Sequence, residues 1–205
     1  MSPCRFTARL LAAVVAAATP LIASTPAVSS QVPAQSLAAG GAAVTLDLRN
    51  HFNLPGVSGP LVQFDTTLGK FNVELRPDAA PKHVANFQAY VAARAYVSTF
   101  IHRSAALDGS AVSIVQGGGY GFTAGNVNTV AKQAPVPLEY NLPNARGTLA
   151  AARTSDINSA TSEWFFNLAD NRANLDAQNG GFTVFARVIG NGMGVVDGIA
   201  ALSRY

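Results

Sequence analysis

Alternating apolar and polar residues mark strand-length segments in the middle of the chain. Leu61 to Thr67 (LVQFDTT) alternates with a period of two, Leu68-Gly69 interrupts the run, and Lys70 to Leu75 (KFNVEL) alternates again. Two such runs joined by a short break that contains glycine predict a β-hairpin. Five more short, apolar, strand-like runs follow: Val97–His102, Ala111–Gln116, Thr148–Arg153, Trp164–Leu168 and Phe182–Ile189.

Two other segments repeat apolar residues every three or four positions. Pro81 fits the first position of a helix, which places His83 in the first turn, at the surface. The apolar residues at helical spacing are Val84, Phe87, Tyr90 and Val91 in the first segment, and Met193, Val196, Ile199 and Leu202 in the second. Many short strands with Gly, Asn and Pro between them, and only two helices, predict a mainly β domain, either a closed antiparallel barrel or a sandwich.

The N-terminus has the pattern of an export signal. Arg5 and Arg9 precede a nine-residue apolar run, residues 10–18 (LLAAVVAAA), which is too short to span a bilayer, and small residues follow it. A buried N-terminal helix is the alternative. We predict a signal peptide over residues 1–27, a linker or N-terminal extension over 28–57 that is rich in Ala, Ser, Pro and Gln, and one domain over 58–205. The mature protein is expected in the periplasm or outside the cell, with no membrane association after cleavage.

Composition narrows the class of protein. The 205 residues are 49% hydrophobic and 12% charged, which suits one domain with a sizeable core. The net charge is +3, but Arg5 and Arg9 belong to the predicted signal, and the other basic residues nearly balance the 11 acidic ones. No basic patch remains in the sequence, which argues against nucleic-acid binding. Cys4 is the only cysteine, so the mature chain cannot form a disulfide or a thiolate metal site. We expect a monomer.

Few motifs suggest cofactor or metal chemistry. Residues 119–124 (GYGFTA) fit the dinucleotide pattern G-x-G-x-x-A, but no helix signal follows, so we interpret them as a glycine-rich turn. The three histidines, His51, His83 and His102, lack the spacing of metal ligands. No serine lies in a G-x-S-x-G elbow. The sequence therefore predicts neither a cofactor nor a metal ion.

Several ordered motifs resemble those of the cyclophilins, a family of peptidyl-prolyl cis–trans isomerases (EC 5.2.1.8). Residues 100–103 (FIHR) followed by 116–119 (QGGG) resemble the family's F-H-R and Q-G-G elements, residues 147–154 (GTLAAART) resemble G-T-I-A-M-A-R-T, and residues 159–167 (SATSEWFFN) resemble S-A-T-S-Q-F-F-I-N. The likeness covers roughly residues 60 to 203 and identifies the chain as similar to a bacterial exported member.

The resemblance implies a closed eight-stranded antiparallel barrel capped by two α-helices. After the second helix the sequence has no counterpart of the family's last strand. Residues 43–48 (AVTLDL) alternate, and they either supply that strand or lie outside the barrel.

The chemistry of the family explains which residue types are needed. An X-Pro bond rotates slowly because amide resonance imposes a barrier of roughly 20 kcal/mol. A donor aimed at the prolyl nitrogen stabilises the twisted bond more than either planar form. The resemblance implies that this donor is Arg103, and that Gln116 bonds the substrate backbone and helps to orient Arg103. The alternative for Arg103 is a surface arginine paired to a neighbour.

The resemblance also implies an apolar slot for the proline ring. Its predicted residues are Phe165, Ile114, Leu175 and Phe182, whereas Ala152, Arg153 and Glu163 would line the substrate groove. The alternatives are that Phe165 and Ile114 are ordinary core, and that Arg153 is a solvated loop residue. The sequence also departs from the family. Ser113 stands where a pocket Phe is usual, Glu163 replaces a Gln that contacts substrate, and the interval between Arg103 and Gln116 is longer than in typical bacterial members.

Two functions follow from these observations. The first is an isomerase that acts without a cofactor on Pro-containing segments of unfolded or exported proteins. The second is a catalytically weak, cyclophilin-like module that binds such segments as a chaperone or adaptor. Intact Arg103, Gln116 and Phe165 favour the first, whereas Ser113 and Glu163 keep the second open.

Overall fold

Two helices and a large antiparallel sheet dominate the computed structural model, which describes residues 27–31, 52–107, 109 and 113–203. The helices are α1 (Pro81–Ala92) and α2 (Met193–Ala200), and a π-helical turn spans Arg172–Asp176. The strands are β1 (Ala27–Val28), β2 (Phe52–Asn53), β3 (Leu61–Thr66), β4 (Gly69–Leu75), β5 (Arg103–Ala105), β6 (Ile114–Gly117), β7 (Tyr120–Thr123), β8 (Asn126–Thr129), β9 (Thr148–Ala151), β10 (Trp164–Asn167) and β11 (Val184–Val188).

Seven of the strands form one curled antiparallel sheet in the order β3-β4-β11-β9-β10-β6-β5. The sheet is an open half-barrel and not the predicted closed eight-stranded barrel. Within the part of the chain that the structure describes, β3 and β5 each have a neighbour on one side only. After β6 the chain leaves this sheet at Gly118, whose φ of +82° turns the backbone. Residues 43–48, considered as a closing strand, lie outside the described residues, as does nearly all of the predicted signal peptide.

The chain after Gly118 forms a separate two-stranded ribbon, β7–β8. The predicted glycine-rich turn at residues 119–124 is therefore wrong. Ala124 and Gly125 connect the two strands with φ values of 50° and 82°. Two consecutive residues with positive φ match the tight turns that join twisted hairpin strands. The predicted strand at Val97–His102 is also displaced, because regular pairing begins only at β5 and Thr99 makes a single bridge to Gly121.

The main core lies on the face of the sheet that α1 and α2 cover. Phe71, Phe87, Trp164 and Phe166 are buried there and surround the half-buried ring of Phe64. The Phe64 ring stacks on Phe71 at 5.1 Å and meets Trp164 edge-on at 5.3 Å between ring centroids. Such geometries add to the stabilisation from burial alone. Neither described helix is both long enough and apolar enough to cross a membrane.

The first turn of α1 is held by a carboxylate from a distant loop. No side chain caps the helix at Ala80, but Glu139 accepts hydrogen bonds from the backbone N–H of Lys82 and of His83. The same carboxylate contacts His83 Nδ1 at 3.0 Å. The prediction that His83 lies at the surface is wrong, because its side chain is only 3% exposed. Glu139 is 56 residues away in sequence, so no local pattern indicated this contact.

A second buried carboxylate fixes the segment before β3. Glu74, whose side chain is 1% exposed, accepts hydrogen bonds from the backbone N–H of Ser58 at 2.7 Å and of Gly59 at 2.9 Å. Arg187 Nε donates to the other oxygen at 2.6 Å. Burial alone would raise the pKa of Glu74, but these hydrogen bonds and the charge of Arg187 outweigh it and lower that pKa. Residues 58–59 are thereby tied to the middle of the sheet.

Candidate active site

A lateral row of residues crosses the sheet on the face opposite the main core. The strand register pairs Arg103 with Gln116, Gln116 with Phe165, and Phe165 with Ala150. Directly paired residues of antiparallel strands project to the same face of the sheet. The register therefore places the predicted donor, its predicted orienting residue and the predicted pocket residue side by side.

Polar side chains at one end of this row form a hydrogen-bonded chain. Arg103 NH1 donates to Gln116 Oε1 at 2.9 Å, and Gln116 Nε2 donates to Glu163 Oε2 at 2.7 Å. The same Glu163 oxygen lies 3.3 Å from His102 Nε2. The guanidinium of Arg103 is exposed, whereas the side chains of His102 and Glu163 are only 13% and 26% exposed. The exposed guanidinium of Arg103 is thus held by a partly buried chain of polar side chains.

An apolar cluster adjoins the chain and is distinct from the main core. Its buried members are Ile114, Ala150, Phe165, Leu175 and Val184, and Ala105, Leu107, Leu142, Ala152 and Phe182 are partly buried against it. The Phe165 and Phe182 rings meet edge-on with centroids 5.7 Å apart. All five apolar residues that the sequence assigned to the pocket and groove wall, namely Ile114, Ala152, Phe165, Leu175 and Phe182, are brought together here.

Arg153 borders this cluster and is not a solvated loop residue. Its guanidinium lies 4.3 Å above the Phe182 ring, which is a cation–π geometry. It also donates to the backbone carbonyls of Gln178, Asn179 and Gly181. Burial lowers the pKa of Arg153, and the nearby Asp156 carboxylate opposes that shift. The geometry shows Arg153 fixing the turn that carries Phe182 at the edge of the cluster.

Buried asparagines support the cluster from beneath. The side-chain NH2 group of Asn167 donates to Asn144 Oδ1 at 3.2 Å and to Thr148 Oγ1 at 2.8 Å. Its side-chain oxygen, Oδ1, accepts from Asn171 Nδ2 at 2.7 Å. Asn144 in turn donates to Asp176 Oδ1 at 2.8 Å. Satisfied buried networks of this kind hold their members in one arrangement. The network joins β9 and β10 to the π-helical turn that carries Leu175.

The long interval between Arg103 and Gln116 contributes to the cluster as well. Ser113 is 5% exposed, and its hydroxyl accepts a hydrogen bond from the Leu107 N–H at 2.8 Å. Asn174 Nδ2 donates to the Leu107 carbonyl at 3.4 Å. Ser113 therefore faces the loop, where it anchors Leu107 against the pocket cluster. Among the described residues, no three His, Cys, Asp or Glu side chains are grouped so that they could hold a metal ion.

Comparison with known proteins identifies the family. Residues 61–204 match the sequence profile described as "Cyclophilin type peptidyl-prolyl cis-trans isomerase/CLD". A "Peptidyl-prolyl cis-trans isomerase" of Acinetobacter baylyi is 40% identical over 147 residues, which cover 70% of this chain and 73% of that protein. The chain belongs to the cyclophilin family. Its enzyme class is therefore that of the peptidyl-prolyl cis–trans isomerases, EC 5.2.1.8.

Two further proteins, one curated relative and one solved structure, are similar to this cyclophilin. The "Peptidyl-prolyl cis-trans isomerase B" of Escherichia coli is 37% identical over 149 residues, covering 70% of this chain and 85% of that protein. A crystal structure of a Cryptosporidium parvum cyclophilin, solved in the presence of the dipeptide Ala-Pro, superposes with a TM-score of 0.55 at 21% identity. That match covers 71% of this cyclophilin and 87% of the other chain, and it supports the fold.

Sequence reasoning missed three parts of the site in this cyclophilin. Leu107 lies in an interval that departs from the family pattern, so no motif pointed to it. The buried asparagines carried no signal, because Asn is usually exposed or in turns. Glu163 was predicted to line the substrate groove; in the structure its side chain accepts a hydrogen bond from Gln116 and lies 3.3 Å from His102 Nε2. In the sequence, the signal for this role of Glu163 was the position of its carboxylate, two residues before the pocket residue Phe165.

Proposed function

We propose that this cyclophilin accelerates the rotation of X-Pro bonds in exported polypeptides without a covalent intermediate, with Arg103 as the hydrogen-bond donor. One observation supports this mechanism above the others. The Arg103 guanidinium, bonded to Gln116, projects from the same face of the sheet as Phe165 and its apolar cluster, with strand β6 between Arg103 and Phe165. A donor beside an apolar slot is the arrangement that a twisting prolyl bond requires.

The cluster would bind the proline ring and so hold one side of the rotating bond. Phe165, Ile114, Leu175 and Phe182 offer an aromatic and aliphatic surface that suits a five-membered apolar ring. As the bond twists, the prolyl nitrogen loses amide resonance and gains an available lone pair. A guanidinium N–H directed at that nitrogen stabilises the twisted state selectively, which lowers the barrier.

Arginine suits this role for two reasons. Its guanidinium stays protonated, so it always has a hydrogen to donate, and its five N–H groups are rigidly placed. One of them, on NH1, is engaged by Gln116, and the others can address the substrate. Lysine would present a single mobile charge without that fixed geometry.

Exchange NMR on an Ala-Pro peptide tests the mechanism, because it reports acceleration and binding separately. We expect Arg103→Ala to lower kcat by about 100-fold, the size seen when a donor to developing charge is removed. Arg103→Lys should recover part of the rate. Arg76→Ala, which removes an arginine paired to Asp78 at the start of a loop, is the matched control and should keep the wild-type rate. Peptide binding without acceleration by the wild type would favour the binding module instead.

Export is the second part of the proposal. It is supported by the sequence pattern of Arg5, Arg9 and the apolar run over residues 10–18. Expression of the full chain in a bacterium, followed by fractionation and mass measurement of the intact protein, tests it. We expect a processed protein outside the cytoplasm, with its N-terminus near residue 28. An unprocessed protein in the cytosolic fraction would contradict export and leave the enzymatic mechanism untouched.

A further inference from the structure

Gln116 bridges two groups with opposite hydrogen-bonding character. Its carbonyl oxygen accepts from Arg103 NH1 at 2.9 Å, and its NH2 group donates to Glu163 Oε2 at 2.7 Å. A guanidinium can only donate, and an ionised carboxylate can only accept. The amide of Gln116 therefore has one orientation that satisfies both neighbours, and the flipped orientation satisfies neither.

A glutamine at position 163, which resembles the usual family residue, would not impose this orientation. A glutamine side chain carries both a carbonyl oxygen and an NH2 group, so it can pair with either end of the Gln116 amide. The orientation of the Gln116 amide would then depend on Arg103 alone. The carboxylate of Glu163 adds a second constraint, because it too accepts only one end of that amide.

The backbone around Glu163 holds the carboxylate in place. Glu163 lies immediately before β10, and its carbonyl oxygen accepts from the Ala152 N–H at 2.9 Å. Its side chain lies close over Gly119, where an added Cβ would approach the Glu163 Cδ to 2.9 Å. His102 Nε2, at 3.3 Å, approaches the same oxygen that Gln116 contacts.

We propose that Glu163 is a positioning residue for the isomerase reaction, which orients the Gln116 amide so that its oxygen holds the Arg103 guanidinium beside the prolyl pocket. This inference rests on the proposed role of Arg103. It assigns Glu163 an effect on the twisted state that passes through Gln116, in place of the direct substrate contact that the family resemblance implies. Glu163 should therefore influence kcat more than KM.

A double-mutant cycle tests the route of this effect. Glu163→Ala should lower kcat by about tenfold, the lower end of the effect of losing one charge-assisted hydrogen bond. In a Gln116→Ala background the same change should lower kcat by no more than about twofold, because the intermediary is already absent. Glu163→Gln, which keeps the shape and an acceptor, should fall between the wild type and Glu163→Ala. Asp65→Ala, which removes an exposed carboxylate from the distant strand β3, is the control and should leave kcat unchanged.

A second measurement examines the contact without relying on turnover. The side-chain NH2 signals of Gln116 and the Nε–H signal of Arg103 should both move in Glu163→Ala, measured by 15N NMR on folded protein. An equal loss of kcat from Glu163→Ala in both backgrounds would overturn the proposal, and so would an unmoved Arg103 signal. A wild type that binds peptide without turnover would refute the proposed mechanism, while the NMR signals would still decide whether Glu163 orients Gln116 and Arg103.

Discussion

The hydroxyl oxygen of Ser113 accepts a hydrogen bond from the backbone N–H of Leu107 at 2.8 Å. This contact explains how a small residue stands where the family resemblance places a pocket phenylalanine. Ser113 does not fill the pocket itself. It fixes Leu107, whose side chain packs against the cluster of Phe165, Ile114 and Leu175. The longer interval between Arg103 and Gln116 thus supplies apolar surface from a different part of the chain.

The first prediction concerns Leu107. If its side chain contacts the bound proline, Leu107→Ala removes about 1–1.4 kcal/mol of apolar contact and raises KM about fivefold to tenfold with little change in kcat. Ser113→Ala should raise KM in the same direction by a smaller factor. Leu202→Ala, at an exposed leucine beyond α2, is the matched control. Equal KM values for Leu107→Ala and Leu202→Ala in peptide titrations would show that Leu107 does not line the pocket.

The second prediction uses two adjacent phenylalanines on opposite faces of β10. Phe165 is 3% exposed in the pocket cluster, and Phe166 is 2% exposed in the main core. Phe165→Leu and Phe166→Leu should each destabilise the protein by about 1 kcal/mol, since both remove buried aromatic surface. Only Phe165→Leu should lower kcat/KM, by about tenfold.

Urea unfolding and peptide turnover on the same samples separate the two effects of these changes. An equal loss of activity in both phenylalanine variants would mean that the effect on turnover does not depend on which face of the sheet the phenylalanine occupies. Phe165→Ala should combine the two effects, with a stability loss of roughly 3–5 kcal/mol.

The third prediction concerns the buried carboxylate of Glu74. Its removal leaves two backbone N–H groups and the Arg187 guanidinium without their acceptor. We expect Glu74→Ala to lower the free energy of unfolding by roughly 3–5 kcal/mol, the usual cost of breaking a buried charged pair. Asp65→Ala, at an exposed carboxylate paired with Lys70, should leave the urea midpoint nearly unchanged. Similar midpoints for the two variants would contradict the role given to Glu74.

The fourth prediction is that stability falls on mild acidification because of His83. Burial lowers the pKa of His83, and it outweighs the Glu139 carboxylate, which favours the charged ring. The unfolded chain therefore binds a proton that the folded chain resists, so stability is lost as the pH falls below about 6.5. We expect a melting temperature several degrees lower at pH 5 than at pH 7.5.

The variant His83→Gln tests whether His83 causes this loss of stability, and Glu139 predicts a further loss at lower pH. His83→Gln should have a smaller difference in melting temperature between pH 7.5 and pH 5 than the wild type, and an equal difference would argue against His83. Burial would raise the pKa of Glu139, but hydrogen bonds from His83 and from the backbone N–H of His83 and Lys82 lower it. The stability that Glu139 contributes is therefore lost at lower pH, below its ordinary value of 4.5.

Local patterns predicted the elements whose packing is also local. The hairpin at residues 61–75 is confirmed as β3 and β4, and the two apolar stripes are confirmed as α1 and α2. Three strand-like runs appear as β9, β10 and β11. Period and turn chemistry suffice there, because each element buries one continuous face. The exact strand ends were less accurate, since pairing partners decide them.

Features that depend on distant residues were not predictable in this way. His83 is buried because Glu139 meets the first turn of α1, and the residues between them give no local signal of that contact. The ribbon β7–β8 turns at Ala124-Gly125, which lacks the usual Asn-Gly signal. The pocket residues came from the resemblance to a family, and Leu107 lay in the interval that departs from it. The strand register supplied what the sequence could not, namely the lateral alignment of Arg103, Gln116 and Phe165.

That alignment has a consequence for how the enzyme tolerates change. Arg103 is placed by its pairing with Gln116 across the ladder, and the connection between β5 and β6 does not set its position. The connection can therefore gain or lose residues while the donor stays opposite its partner. Variation in its length becomes a means of adding new side chains to the rim, as Leu107 illustrates. Divergence in substrate preference can thus accumulate in one segment, while the residues that act on the prolyl bond remain in register.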